Sequence, residues 1–514
     1  MILNALVLIL KRYRQFYFSR PYLKSILFNL IGKKEDSLKI KNFVVLSCQE
    51  PLQVAKNQFK HFCLMYSSFQ KVYKESKFWI QSEEFKNNYQ NQLYPPYLNP
   101  QKVDYENILP DLAWDLNLPV PPKKYHCLNI SNGLSASAAT LMFFKECEVN
   151  TISFHIMATE CYKEFFRKSN KDKNVIFFYH NWFISHWYEG FANYGDHLKA
   201  MLPKNVPFLY IIRDPISRIK GILNHVSDAK GYIKQFNLSF DVESLIQKET
   251  YCHSKKIYPT FELLENASHF KNDEQWWAMW WRASLATDSL LETFKENIGE
   301  IYCVEFNDLK PNKAIETFSK IADFFDFQMP EDKSVFTQRV WNEMYNFLPN
   351  TFYVNANDLN NKNNKIKNEE SFNQQNSFVI TITLPSKITP EEKSLVDISC
   401  EIKENLIMDD SRILILIKEN DLIKLKENQV LYQAALDYLK NYLNEIQKEI
   451  DRRRSVVFKE EDVLNFFKNN PKSRKFIQNI LNSELNYIRQ NHPDFIQRWH
   501  YYLEFEKLCL KCGD

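Results

Sequence analysis

Glycine is rare in this chain: 8 residues among 514, beside 40 phenylalanines and 27 tyrosines. Any glycine in a loop therefore counts, and the GxxxxGK(S/T) phosphate loop of nucleoside triphosphatases does not occur. An excess of one charge is missing as well. With 66 Lys and Arg against 63 Asp and Glu the net charge is +3. That argues against bulk binding to nucleic acid, which needs a basic face to displace counterions, and it leaves room for a small local anion site. Long apolar runs are also lacking. The stretch "ILNALVLIL" (2–10) is too short for a bilayer of about 30 Å, which takes roughly 20 residues. Its charges follow it and no small-residue cleavage site appears, so it does not read as secretory. The ten cysteines have no framework spacing and read as buried thiols of a reducing cytoplasm. Cys509-Leu510-Lys511-Cys512, without a His pair nearby, is half a zinc site at most. No repeat of fixed period is evident.

What is present begins with a basic and aromatic segment over 1–34. Lys11, Arg12, Arg14, Arg20 and Lys24 are interleaved with Tyr13, Phe16, Tyr17 and Phe18, and no acidic residue precedes Glu35. It is either an interfacial helix on anionic lipid or a helix packed on the protein's own body. Residues 35–123 hold a strand candidate, "NFVVLSC", and end in an extended, proline-punctuated arm over 93–125. From 124 to 354 apolar strand candidates alternate with amphipathic helices: "YHCLNI", "NVIFFYH", "VPFLYIIR" and "EIYCVEF" are separated by helical stretches. One of these is a long helix over 273–298, rich in Trp. The fold class is α/β, with a parallel sheet flanked by helices. Ligands of such sheets bind at the carboxyl ends of the strands. Residues 355–377 are Asn-rich and read as a linker or insertion. The region 378–514 opens with strands "FVITITL" and "RILILIK" and is otherwise mostly helical.

Two strand-to-helix turns carry chemistry. In "IIRDPISR", Arg213 ends a strand, Asp214 is a plausible N-cap, and Pro215 stands at the first helical position. A guanidinium beside a helix start favours anions; the plainer reading is that Asp214 pairs with Arg213 or Arg218. In "NISNGLSASAAT" (129–140), Asn132 and Gly133 sit in the turn and Ser135 and Ser137 offer hydroxyls. The plainer reading there is an ordinary helix with a Ser cap. His180 ends the "VIFFYH" strand, where it is either a general base or a hydrogen-bonded strand-end histidine. His155, His186 and His225 are weaker candidates. Trp276, Trp277, Trp280 and Trp281 read as core before they read as a sugar-stacking platform.

In order and context these pieces resemble the sulfotransferases that use 3′-phosphoadenosine-5′-phosphosulfate. "LSASA" (134–138) stands where that family has a K/R-S-G-T/S-T/S loop, and "IRDPISR" (212–218) resembles its RDPxxR motif. "WWAMWW", "YCVEFNDL" and "IADFFDF" follow in the family's order. The resemblance covers about 125–330. It implies a P-loop-like core with an N-terminal arm and a helical C-terminal extension. It implies phosphoadenosine phosphosulfate as donor and no metal. The donor contacts would be Asn132, Gly133, Ser135, Ser137, Arg213 and Arg218, with His180 as base. Four departures stand out: Leu134 replaces the loop cation, Ala136 the usual Gly, and Gly221 the Ser expected downstream, and the late Arg-Lys-Gly adenine loop has no counterpart. Another cation, Arg218 or Lys220, must then serve, or the reaction has been lost. "AWDLNLPVPP" and "RDPIS" also resemble a group of uncharacterised bacterial proteins defined by a domain of unknown function.

The implied activity is sulfuryl transfer from the nucleotide donor to a hydroxyl, with a bacterial surface carbohydrate as acceptor, in a cytoplasmic protein whose 1–34 segment touches membrane or does not. Two alternatives remain: a degenerate nucleotide- or glycan-binding protein of the same fold, and a transferase using another phosphorylated donor.

Overall fold

A computed structural model describes residues 75–122, 125–131, 134–153, 158–167, 174–179, 195–226, 233–246, 250–268, 276–339, 345, 347–361, 376–389, 391–402, 407–408 and 411–512. The segment 1–34 and the strand candidate "NFVVLSC" lie outside them. The chain divides into two compact units. One holds residues up to Pro122 with Tyr162–Arg167 and Asp196–Pro203, and the other holds the remainder.

In the first unit the proline-punctuated arm is not wholly extended. Pro110–Asp115 is a helix with Pro110 at its first position, where the missing N–H costs nothing. Asn117, at φ 53°, turns the chain out of it. Trp114 is 2% exposed and packs edge-on against Tyr162 at 5.3 Å and on His197 at 4.2 Å. His197 Nε2 pairs with Asn117 Oδ1 at 2.8 Å.

The second unit contains two five-stranded sheets. The first is built from β1 (Tyr125–Ser131), β2 (Asn150–Ser153), β3 (Asn174–Tyr179), β4 (Val206–Ile212) and β6 (Ile298–Glu305), in the order β2-β3-β1-β4-β6. All its pairings are parallel. The second sheet has the order β5-β7-β8-β12-β9. It comprises β5 (Gln235–Asn237), β7 (Asn350–Val354), β8 (Phe378–Thr383), β9 (Val396–Asp397) and β12 (Leu414–Ile417). A short pair, β10 (Ile407–Met408) and β11 (Ser411–Arg412), precedes β12. The Asn-rich stretch joins β7 to β8, which pair antiparallel from Asn350↔Ile382 to Val354↔Phe378.

Seven helices matter below: α1 (Ser137–Glu146), α2 (Pro215–Leu223), α3 (Ala314–Phe325), α4 (Gln429–Val456), α5 (Glu460–Asn469), α6 (Pro471–Glu484) and α7 (His500–Cys512). On one face of the parallel sheet, Cys127, Val175, Leu209, Ile211 and Val304 meet Phe143 and Phe144 of α1 and Phe318 and Ile321 of α3. Phe143 stacks on Phe336 at 4.5 Å and meets Phe318 edge-on at 5.2 Å. Such pairs each add about 0.5–1.5 kcal/mol beyond their buried area. Because side chains alternate along a strand, Tyr210 points to the other face, where its hydroxyl bonds Thr287 Oγ1 at 2.9 Å and Ala286 O at 3.1 Å. The second sheet is closed by the 28-residue α4, whose stripe Leu431, Ala435, Leu439, Tyr442, Ile446 and Ile450 is buried against it. No helix among the described residues is long and apolar enough to cross a membrane.

Three further expectations are corrected here. The long Trp-rich helix is broken: Trp276–Leu285 and Asp288–Thr293 are separate, and Thr287 at φ −135° interrupts them. Glu484 of α6 stabilises the break by accepting from Thr287 N and Ser289 N, both at 3.0 Å. Asp288 returns the favour by accepting from Asn486 N and Tyr487 N. The helix after β1 has no Ser cap, because left-handed Ala136 stands at its N-cap without a side-chain bond. Cys127, Cys147, Cys161 and Cys509 are buried as expected, but Cys400 is exposed.

Candidate functional site

The connections of the parallel sheet diverge between β1 and β4. The chain leaving β1 runs through α1 to β2 at one edge, and the chain leaving β4 continues through α2 to β6 at the other. Adjacent strands whose exits part in this way leave a crevice beyond their carboxyl ends, the usual ligand position in such sheets. The two strands are registered at Leu128 and Phe208, and the buried Asn129 side chain donates to Leu209 O at 3.2 Å one step further on.

Both sequence-derived turns follow the carboxyl ends of these two strands. Arg213 Nη1 donates to Leu134 O at 2.7 Å, and its guanidinium lies 4.2 Å from the centre of the Phe306 ring. One turn along α2, Arg218 Nη2 donates to Ser135 Oγ at 2.6 Å. Arg218 is 5% exposed and Ser135 1%. Ser131 Oγ and Ser137 Oγ lie 2.6 Å apart and span the base of the turn. Of the candidate contacts, Ser135, Ser137, Arg213 and Arg218 are thus brought together; Asn132, Gly133 and His180 lie outside the described residues, as do His155 and His186. His225 lies past the end of α2, where its carbonyl accepts from Cys252 N at 2.7 Å. Trp281 is fully buried, with its indole N–H on Leu263 O at 3.3 Å.

The β1 turn is held in an unusual backbone. Leu134 (φ 53°) and Ala136 (φ 59°) are both left-handed, a conformation that costs a residue with a Cβ about 1–2 kcal/mol. The first intrahelical bond runs from Thr140 N to Ala136 O at 2.8 Å, so the amides of residues 137–139 precede the helical ladder. These amides and the helix dipole favour negative charge.

Asp214 makes a different contact from the arginine pairing considered above. Its Oδ1 accepts from Ile216 N (2.8 Å) and Ser217 N (3.3 Å), and Oδ2 accepts from Tyr502 N at 3.2 Å. One carboxylate therefore caps α2 and also receives an amide in the first turn of α7. Burial holds it above the usual carboxylate value, against the opposing effect of those amides. Elsewhere on α2, Ser217 Oγ and Lys220 Nζ both reach Glu460 Oε1 of α5, at 2.9 and 3.1 Å. Glu305, fully buried at the end of β6, is kept above the usual carboxylate range by burial. Asn307 N, at 2.8 Å, and Arg498 Nη2, at 3.4 Å, bond it. Among the described residues no group of three or more His, Cys, Asp or Glu side chains could hold a metal ion.

Reading the sequence missed Phe306 and Ser131. Phe306 lies within the quoted "YCVEFNDL" string, yet only the neighbouring positions of β4 and β6, paired at Ile212↔Glu305, bring its ring under Arg213. For Ser131 the signal was available in its place at the last residue of a buried strand before a hydroxyl-rich turn.

A family model described as "Protein of unknown function (DUF2972)" matches residues 303–512. That span begins within β6 and takes in Phe306, β7 to β12 and the helices α3 to α7, downstream of both arginines. No curated protein and no solved structure matches the chain.

Proposed function

We propose that the β1–β4 crevice binds the nucleotide donor of a sulfotransferase-type reaction. The observation that carries this reading is the convergence of Arg213 and Arg218, from the start of α2, on the Leu134–Ser137 turn. Two guanidiniums, a helix N-terminus and a hydroxyl pair then surround one crevice, a donor set suited to phosphate and sulfate oxygens. The resemblance gains support from Ala136. It stands where the family loop has glycine, and it holds the left-handed backbone that glycine adopts without strain.

In this reading Arg213 takes the 3′-phosphate of phosphoadenosine phosphosulfate, and the 132–137 turn takes the 5′ end. The acceptor hydroxyl oxygen attacks sulfur, and the bond from sulfur to the 5′-phosphate oxygen breaks. Adenosine 3′,5′-bisphosphate leaves with the bonding pair, and the hydroxyl proton passes to His180. A carbohydrate hydroxyl, as on a bacterial surface glycan, is the proposed acceptor.

Calorimetry with adenosine 3′,5′-bisphosphate tests the pocket. Micromolar binding is expected, with a loss of roughly tenfold to a hundredfold in Arg213→Ala, the usual worth of a charged hydrogen bond. Absence of binding to the intact protein overturns the reading. A second reading, a nucleotide- or glycan-binding protein without turnover, draws on Leu134, which puts an apolar side chain where the family loop has a cation. Binding without transfer to any hydroxyl acceptor favours it.

A further inference from the structure

The loop cation missing at Leu134 directs attention to the charges of α2. Lys220 is engaged with Glu460 at 3.1 Å. Arg218 instead reaches the β1 turn, where a single neutral hydroxyl, Ser135 Oγ, receives one of its five N–H donors. Arg218 is 5% exposed, and its Nε has no hydrogen-bond partner. Among the described residues it forms no ion pair with a carboxylate. Burial pushes its pKa down to about 10; Tyr210 opposes that shift and the like charge of Arg213 adds to it. A buried cation without a counterion weakens a fold, and an apolar side chain of similar size usually serves stability as well or better. An anion entering the crevice would supply both the missing charge and acceptors for the spare N–H groups.

We infer that Arg218 supplies the positive charge that the β1 turn lacks, binding the phosphate at the 5′ end of the donor while Arg213 holds the 3′-phosphate. The inference rests on the donor-site reading above and assigns the two arginines to different phosphates. It also gives Arg218 a role that a merely structural side chain would not have: its removal spares or improves the unliganded fold and damages binding selectively.

The test uses the full chain and the variants Arg218→Met and Arg213→Ala. Calorimetry is run with adenosine 5′-monophosphate, adenosine 3′-monophosphate, adenosine 3′,5′-bisphosphate and inorganic pyrophosphate, and urea unfolding is run without ligand. Arg218→Met is expected to lose roughly tenfold to a hundredfold in affinity for the 5′-monophosphate and the bisphosphate. Its affinity for the 3′-monophosphate should stay within about twofold, and its urea midpoint should lie at or above that of the parent. Arg213→Ala should show the opposite preference. Unchanged 5′-monophosphate affinity in Arg218→Met overturns the inference and leaves the donor reading standing. A lowered urea midpoint, with all ligands weakened alike, makes Arg218 a prop and also overturns it. If no adenosine phosphate binds but pyrophosphate binds in an Arg218-dependent way, the donor reading fails and the anion role of Arg218 stands. If pyrophosphate binding is absent as well, both are lost.

Discussion

Leu134 and Ala136 store backbone strain on either side of Ser135, and strain of this kind persists where the surrounding structure over-determines it. Replacing Ala136 with glycine should release it. We expect Ala136→Gly to raise the unfolding free energy by about 1 kcal/mol, the cost of the left-handed conformation less the extra freedom of glycine in the unfolded chain; urea titration measures it. A fall in stability would mean that the Ala136 methyl contributes more through packing than its backbone costs. The contrast with Gly221 is instructive, since both positions depart from the family pattern. A Cβ at Gly221 would sit 3.7 Å from Arg213 Nη1 and from Leu134 Cδ1, in ordinary contact, so nothing steric requires glycine there. At this scale the sequence revealed the two arginines together with Ser135 and Ser137, because strand ends and helix starts follow from apolar patterning and from the Asp-Pro start signal. Ala136 was legible only as a departure from the family string, since a positive φ at a non-glycine residue leaves no trace in composition.

Among the elements, β6 carries the sharpest constraint. A Cβ at Gly299 would lie 2.9 Å from Asn205 O, a backbone atom of the turn entering β4. Neither partner can swing aside, so Gly299→Ala should cost roughly 1–3 kcal/mol, as overpacking does. A matched drop in thermal midpoint checks it, and an unchanged midpoint would show that the β4–β6 pairing yields at this point. Four strands of the parallel sheet, β1, β3, β4 and β6, were legible in the sequence because they are short apolar runs between amphipathic helices. β2, β5, β7 and β9 were not. "NTIS" of β2 is only four residues with a single apolar one, Ile152, β5 and β9 are shorter still, and β7 alternates as a half-buried strand next to the Asn-rich stretch. The interruption at Thr287 was invisible for a different reason. Its stabilising carboxylate, Glu484, is 197 residues away in sequence, beyond the reach of any local pattern.

At the scale of the whole molecule, the second sheet and α4 form a core of their own, and a buried ion cluster rests beside it. Glu449, 5% exposed, accepts from Arg452 Nε and Nη2, each at 2.6 Å, and from Arg453 Nε at 2.9 Å. Burial alone would raise its pKa, but the two arginines together hold it below the ordinary value of 4.5. A carboxylate depressed in the folded state adds stability above its unfolded pKa and loses it as pH falls through the folded value. Thermal midpoints followed from about pH 6 down to about pH 3 should therefore fall more steeply in the parent than in Glu449→Gln. Equal slopes would show that the cluster does not contribute to acid sensitivity. The same long-range logic applies to the arginine turn. Asp214 receives the amide of Tyr502, 288 residues further along the chain, so a single acid group is the common footing of the helix start beside Arg213 and of a helix in the DUF2972-matched span. Reciprocity then binds the two: whatever free energy an anion at the crevice lends to the seating of α7, a firmly seated α7 returns to the anion in equal measure.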